Sequence, residues 1–135
     1  MTPLELLRAK IANFPGYDDD LGRRRSDEYV RAYLGEALTN FAERLQLPPA
    51  LQKRADDLLL RVEFTDFDAF AHLHGAQADS GDGGAVAAAD AATIELADRA
   101  ASLDEQSAAG YFDDVTAQLD ERDAAIRAAA AKMSR

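Results

Sequence analysis

Few side chains in this sequence could do chemistry, and each group of them also has an ordinary structural reading. Arg23, Arg24 and Arg25 stand in a row, with Arg31 two helical turns on and Tyr17 just ahead. Clustered guanidinium groups suit a phosphate, a nucleotide or an acidic partner segment. Asp19, Asp20 and Asp27 each lie four residues before one of these arginines, and Glu28 lies four after Arg24. The same residues therefore also read as helix-surface ion pairs, worth roughly 0.2–0.5 kcal/mol each. Arg23, Arg24, Arg25, Arg31 and Tyr17 are the candidate anion-binding set, and an internally paired, solvated helix face is the simpler expectation.

His72 and His74 are the two histidines of the chain. On a strand, a His-x-His pair converges on one metal; on a helix the two side chains diverge. Asp68 and His72 are four apart and share a helical face, so Asp68, His72 and His74 form the candidate metal set, short of ligands unless other elements supply them. Asp79-Ser80-Gly81-Asp82-Gly83-Gly84 resembles a cation loop in composition. It fails the EF-hand pattern, because glycines take ligand positions and no glutamate closes it, and it lacks the Gly-Lys-Ser/Thr of a P-loop. It reads as a connector. Asp113, Asp114 and Asp120 fall on polar helical positions and read as solvated surface. No Gly-x-Ser-x-Gly turn and no paired general acid and base stand out.

One residue breaks a pattern. Ala108, Phe112, Val115, Leu119, Ile126, Ala129 and Met133 form an apolar stripe along a long helix, and Arg122 fills the place the stripe leaves open. An arginine there either snorkels at the end of the buried seam or pairs with an acid from another helix or subunit and fixes register. Snorkelling is the simpler expectation.

The elements that must position these residues are helices. Thr2-Pro3-Leu4-Glu5 has the form of a capping box, Leu4, Leu7, Ile11 and Phe14 make a stripe, and Pro15-Gly16 ends the first helix. The second starts within Asp18–Asp20 and runs to about Gln46, with Val30, Leu34, Ala37, Phe41 and Leu45 inward and Tyr33 and Leu38 on the edges of the stripe. Pro48 and Pro49 break it. The third runs from about Pro49 to Val62, with Leu51, Ala55, Leu58, Leu59 and Val62 inward. Thr65 to about Gly75 reads as a short helix or a kinked continuation, with Phe67, Phe70 and Ala71 inward. A strand over 62–65 competes, but has nothing to pair with. A flexible loop follows at about 75–84, and helix resumes at Ala85 with Val86, Ala89, Thr93, Leu96 and Ala100 in register. An unbroken helix from there to Met133 would span about 70 Å, so a turn belongs between Ala101 and Tyr111, at Ser102 or at Gly110. The expected fold is all-α: one domain over 1–135, an up-and-down bundle of four to five helices with no sheet.

Composition bounds the rest. The chain has 135 residues, no cysteine and a formal net charge of −10. Large aliphatic residues and phenylalanine make up about a fifth of it, close to the lower limit for a folded chain. Alanine, abundant here, forms helices well and fills a core poorly. Such a core needs close helix packing or a second copy of the chain. The negative charge disfavours nucleic acid and anionic membrane as partners. With no apolar run of about 18 residues and no secretory leader pattern, a cytoplasmic location is expected, with no cofactor.

Pro15-Gly16-Tyr17, then Arg23-Arg24, Asp27, Val30-Arg31 and Leu34, together with Tyr111-Phe112-Asp113, resembles small bacterial helical proteins of unassigned activity, in which a Pro-Gly-Tyr turn leads into a long charged helix. The resemblance covers about a third of the chain. It implies an all-α cytoplasmic protein and transfers no functional residue. Two functional expectations follow: a non-catalytic oligomerisation or protein-interaction module, with a homo-oligomer or protein partner, or an enzyme or sensor that binds a small ligand, anion or metal between its helices.

Overall fold

The computed structural model describes residues 1–64 and 84–133. Among these the chain is all helical, with no strand. The elements are α1 (Pro3–Lys10), α2 (Asp20–Leu45), α3 (Pro49–Glu63), α4 (Gly84–Arg99), two 3₁₀ turns (Ala100–Ser102 and Glu105–Ser107), and α5 (Ala108–Met133). The expected short helix ending near Gly75 and most of the expected connector fall at 65–83, outside the described residues.

Local chemistry sets most boundaries. Thr2 and Glu5 close the capping box that starts α1. The helix ends sooner than its apolar spacing implies, at Lys10, because Ile11 is extended and Asn13 takes a positive φ of 62°, a conformation asparagine tolerates better than most residues. Ile11 and Phe14 are still buried, so the stripe marks burial beyond the helix itself. Asp19 caps α2 by accepting a hydrogen bond from the Gly22 amide at 2.6 Å. Gln46 closes α2 in the left-handed region. The α4–α5 turn is capped by Asp104, which accepts from the Ser107 amide at 3.0 Å. Ser102 bonds back to the Arg99 carbonyl instead, and Gly110 lies inside α5.

The long helices form a ring in the order α2, α3, α5, α4, with α1 packed on α4. Side-chain bridges give the directions. Arg54 meets Asp113 and Arg61 meets Asp120, seven residues on in both helices, so α3 and α5 run parallel. Arg99 meets Asp114, and Arg122 meets Asp90, so α4 and α5 run antiparallel. The chain alternates up and down, and α3 and α4, consecutive in sequence, stand diagonally across the bundle.

Among the described residues, two apolar clusters fill the interior. One joins Phe41, Tyr111 and Phe112 to Leu34, Leu38, Leu58, Val62 and Val115. The other joins Leu7, Ile11, Phe14 and Tyr17 to Val30, Val86, Ile94 and Ile126. Leu38, placed by its spacing at the edge of the α2 stripe, is fully buried. No described helix is long and apolar enough to cross a membrane.

Candidate functional site

The second cluster encloses charged side chains. Arg122 on α5 is 1% exposed, Asp27 on α2 is 2% and Asp90 on α4 is 0%. The Arg122 guanidinium lies between the two acids: Nε donates to Asp90 Oδ1 at 2.6 Å, and Nη2 to Asp27 Oδ1 at 2.6 Å. The Tyr17 hydroxyl donates to Asp90 Oδ2 at 2.5 Å. Arg31 Nε donates to Asp27 Oδ2 at 2.9 Å, and its Nη1 reaches the carbonyls of Val62 and Glu63 at 3.2 and 3.1 Å. A single chain of contacts thus runs from the turn after α1, through α4, α5 and α2, to the last turn of α3.

The turn that carries Tyr17 is built to deliver it. Gly16 has a φ of +87°, which suits glycine better than any other residue. Its carbonyl accepts from the buried Ser26 hydroxyl at 2.7 Å, and the Tyr17 carbonyl accepts from Arg23 Nη1 at 3.0 Å. Gly22 fits because a Cβ there would stand 2.9 Å from the Asp19 carboxylate and 3.3 Å from the Gly16 carbonyl. The Pro-Gly-Tyr turn therefore packs against the first turns of α2 and drives the phenol into the core.

Burial and neighbouring charge oppose each other here. Burial disfavours the Arg122 cation, but Asp90 and Asp27 on either side override it and raise its pKa above that of an ordinary arginine. Full burial lifts the Asp90 carboxyl above the usual carboxylate range, against the opposing pull of Arg122 and the Tyr17 hydrogen bond. One guanidinium serves two carboxylates, and Arg31 also bonds Asp27. Burial, with Asp90 beside it, keeps Tyr17 a neutral phenol. All four carboxylate oxygens of Asp27 and Asp90 accept hydrogen bonds from protein donors. The arrangement turns its chemistry on itself. Its capacity is to tie five segments together in one geometry.

The residues singled out in the sequence are distributed as follows. Tyr17, Arg23 and Arg31 lie at or beside this network; Arg24 and Arg25 are exposed. Arg24 pairs with Asp20 at 3.4 Å and Arg31 with Asp27, as their spacing suggests. Arg23 departs from the expected solvated face: it is 3% exposed and is used inside the turn. Arg122 does not snorkel; it is sealed within the bundle and takes the pairing alternative. Asp113, Asp114 and Asp120 are exposed and paired with Arg54, Arg99 and Arg61. Asp68, His72 and His74 lie outside the described residues. Among the described residues, no group of three or more histidines and acids could hold a metal ion.

The sequence alone does not pair Asp27 and Asp90 with Arg122, but it carries a signal for them. Asp27 continues the inward series Val30, Leu34, Leu38 of α2, and Asp90 continues Val86, Ile94, Ala97 of α4. Each acid stands on an apolar stripe, as Arg122 does. Polar breaks of opposite sign on three stripes announce a buried pairing.

A separate groove of about 460 Å3 opens between α2 and α4, with Phe41, Ala37 and Ala97 along it and Asn40 and Arg44 at its edge. Tyr33 donates to Asp98 at 2.5 Å on its wall, and that bond, with partial burial, pushes the phenol up to about 12. Arg44 is turned to the carbonyls of Ala100 and Leu103, at 2.9 and 2.8 Å. No family model, no curated protein and no solved structure matches the chain.

Proposed function

We propose that this protein is a non-catalytic interaction module that works by presenting helix faces to another protein surface. The observation that carries the reading is the contrast between inside and outside. Among the described residues, the buried ionisable groups Tyr17, Asp27, Asp90 and Arg122 are closed on one another in the core. Large apolar side chains stand outward: Leu21 at 57% and Tyr29 at 41% on α2, Leu60 at 54% on α3, and Phe64 at 72% just past its end. Such residues scattered singly are ordinary, but paired along helix faces they suit association. Sedimentation velocity on the purified protein, with analysis of what copurifies, tests it. An oligomer or a stoichiometric partner at micromolar concentration is expected. A monomer without a companion overturns the reading.

A small-ligand reading rests on the α2–α4 groove, where Tyr33, Glu36, Asn40 and Arg44 border an apolar floor. A thermal-shift screen of small metabolites tests this alternative. A true ligand at 100 times its Kd adds about 2.7 kcal/mol, and no stabilisation by any compound removes it.

A further inference from the structure

The seam between α2 and α3 differs from its neighbours in how its charges are used. A groove of about 470 Å3 lies along it, floored by Ala32, Gly35, Leu59 and Val62 and rimmed by Glu28, Glu36 and Glu63. The three glutamates are exposed, and none of their carboxylates is ion-paired among the described residues. The adjoining seams are bridged: Arg54 to Asp113 and Arg61 to Asp120 across α3 and α5, Arg99 to Asp114 across α4 and α5. Arg31, the cation in the groove's wall, is turned to Asp27 and to the last carbonyls of α3. The α2–α3 seam therefore presents an apolar floor between negative charges that its own chain leaves unanswered.

Shape and spacing say what suits it. A Cβ at Gly35 would meet only Val62 Cγ1, at 3.8 Å, an ordinary contact. Packing within the chain therefore allows alanine, the better helix former, and the missing side chain deepens the groove midway along. Glu28 and Glu36 stand eight residues apart, about 12 Å along α2. Basic side chains seven or eight residues apart on a second helix match that span, because both helices rise equally. Arg25, one turn before Glu28 on the same side, bounds the acidic stretch. The floor offers no strand edge, since the described residues hold no strand. An extended peptide would leave its inward backbone groups unpaired there, whereas a helix satisfies its own. We propose that this groove docks a basic amphipathic helix of another protein. Its apolar face rests on Ala32, Gly35, Leu59 and Val62, and its lysines or arginines meet Glu28, Glu36 and Glu63. Leu60 and Phe64, exposed one turn apart on either side of Glu63 in sequence, add apolar surface beside the rim. At a net charge of −10, a cationic segment is also drawn in from a distance, while a second acidic copy is held off.

This inference rests on the interaction-module reading and names the chemistry of its partner. The probe is a labelled synthetic helical peptide of about 15 residues, with leucine and alanine on one face and lysines seven residues apart at its edges. It is titrated with the full chain and followed by fluorescence anisotropy, with the helicity of each variant checked by circular dichroism. Wild type is expected to bind it. Glu28→Gln/Glu36→Gln/Glu63→Gln is expected to weaken binding about tenfold or more. Glu95→Gln/Glu105→Gln/Glu121→Gln removes the same charge elsewhere and is expected to weaken it about twofold or less. Ala32→Lys, at an exposed position where lysine suits a helix, is expected to weaken it as the rim variant does. No binding by wild type, equal loss in the two triple variants, or equal binding of a scrambled peptide of the same composition overturns the groove assignment. Sedimentation velocity then separates the two readings. With the groove overturned, an oligomer or a copurified partner leaves the interaction reading standing, and a monomer without a companion that also ignores the peptide overturns both.

Discussion

At one end of the bundle Phe41, Tyr111 and Phe112 fill the space between α2 and α5 with rings, their centroids 5.1 to 6.4 Å apart. At the other end the corresponding space holds Arg122 between Asp27 and Asp90. Rings held by dispersion and water exclusion tolerate small slips, because that attraction has little direction. A buried guanidinium does not. Its bonds exist in one geometry, and leaving it costs the desolvation of every charge involved. The aromatic end gives cohesion. The ionic end gives register, fixing α5 against α2 and α4 and placing the turn at Tyr17. The chain is poor in large apolar residues and rich in alanine, whose smooth helices slide easily, so a directional lock has particular value here.

The sharpest way to break this contrast is at Arg122. Arg122→Met leaves two acids buried without their shared cation and is expected to cost about 3–5 kcal/mol in urea unfolding at neutral pH. A loss under about 1 kcal/mol, the range of exposed pairs, would show that the acids are hydrated and the lock absent. Replacing the three central members, as Asp27→Leu/Asp90→Leu/Arg122→Met, is expected to recover part of that loss, offset by about 1–3 kcal/mol because the buried Tyr17 hydroxyl loses its acceptor. Amide NMR line widths in the α4–α5 half should broaden in the triple variant if register is what the charges supply.

In the aromatic end, Phe112→Ala should cost about 3–5 kcal/mol through its cavity, and the loss should be equal at pH 5 and pH 8, since no carboxyl is exchanged there. A loss that varies with pH between these points would mean the two ends are not independent.

Asp90 gives the ionic end a pH signature of its own. Its carboxyl is raised above the ordinary range, so the folded chain holds that proton more tightly than the unfolded chain. Its contribution to stability is full below about pH 4 and is lost as pH rises through its folded value. The stability of wild type relative to Asp90→Asn should therefore fall as pH rises from about 4, then level off. A relative stability that climbs over that range would place the carboxyl below the ordinary value and reverse the assignment.

The smallest effect belongs to the surface. Asp113→Ala removes an exposed partner of Arg54 at 2.7 Å and is expected to change stability by no more than about 1 kcal/mol, with the difference shrinking in high salt. A larger change would promote the α3–α5 bridges to the rank of the buried network.

The fold class was legible because helices are announced locally. The capping box at Thr2 and Glu5, the acidic start of α2, the Pro48–Pro49 break and the stripe through Phe112, Val115 and Leu119 all act within a turn or two of chain. The end of α1 was less legible, since the Ile11–Phe14 spacing continues past the helix and only the turn at Asn13 stops it. The site was half visible. Arg122 stood out as a flaw in its stripe, while Tyr17 and Arg23 read as candidates for binding an external anion when they in fact serve the turn and the core.

What the sequence determined alone was therefore everything set by neighbours a few residues apart: where helices start, which side is apolar, and which surface acids have arginines at helical spacing. Only the tertiary structure decided that Asp27 and Arg122, 95 residues apart, share a hydrogen bond, that Tyr17 reaches Asp90, and that α3 and α4 stand diagonally. Local periodicity records that a residue faces inward. Which residues it meets there depends on how whole helices are arranged around it, and in this chain that arrangement turns isolated charges into a closed, neutral lock.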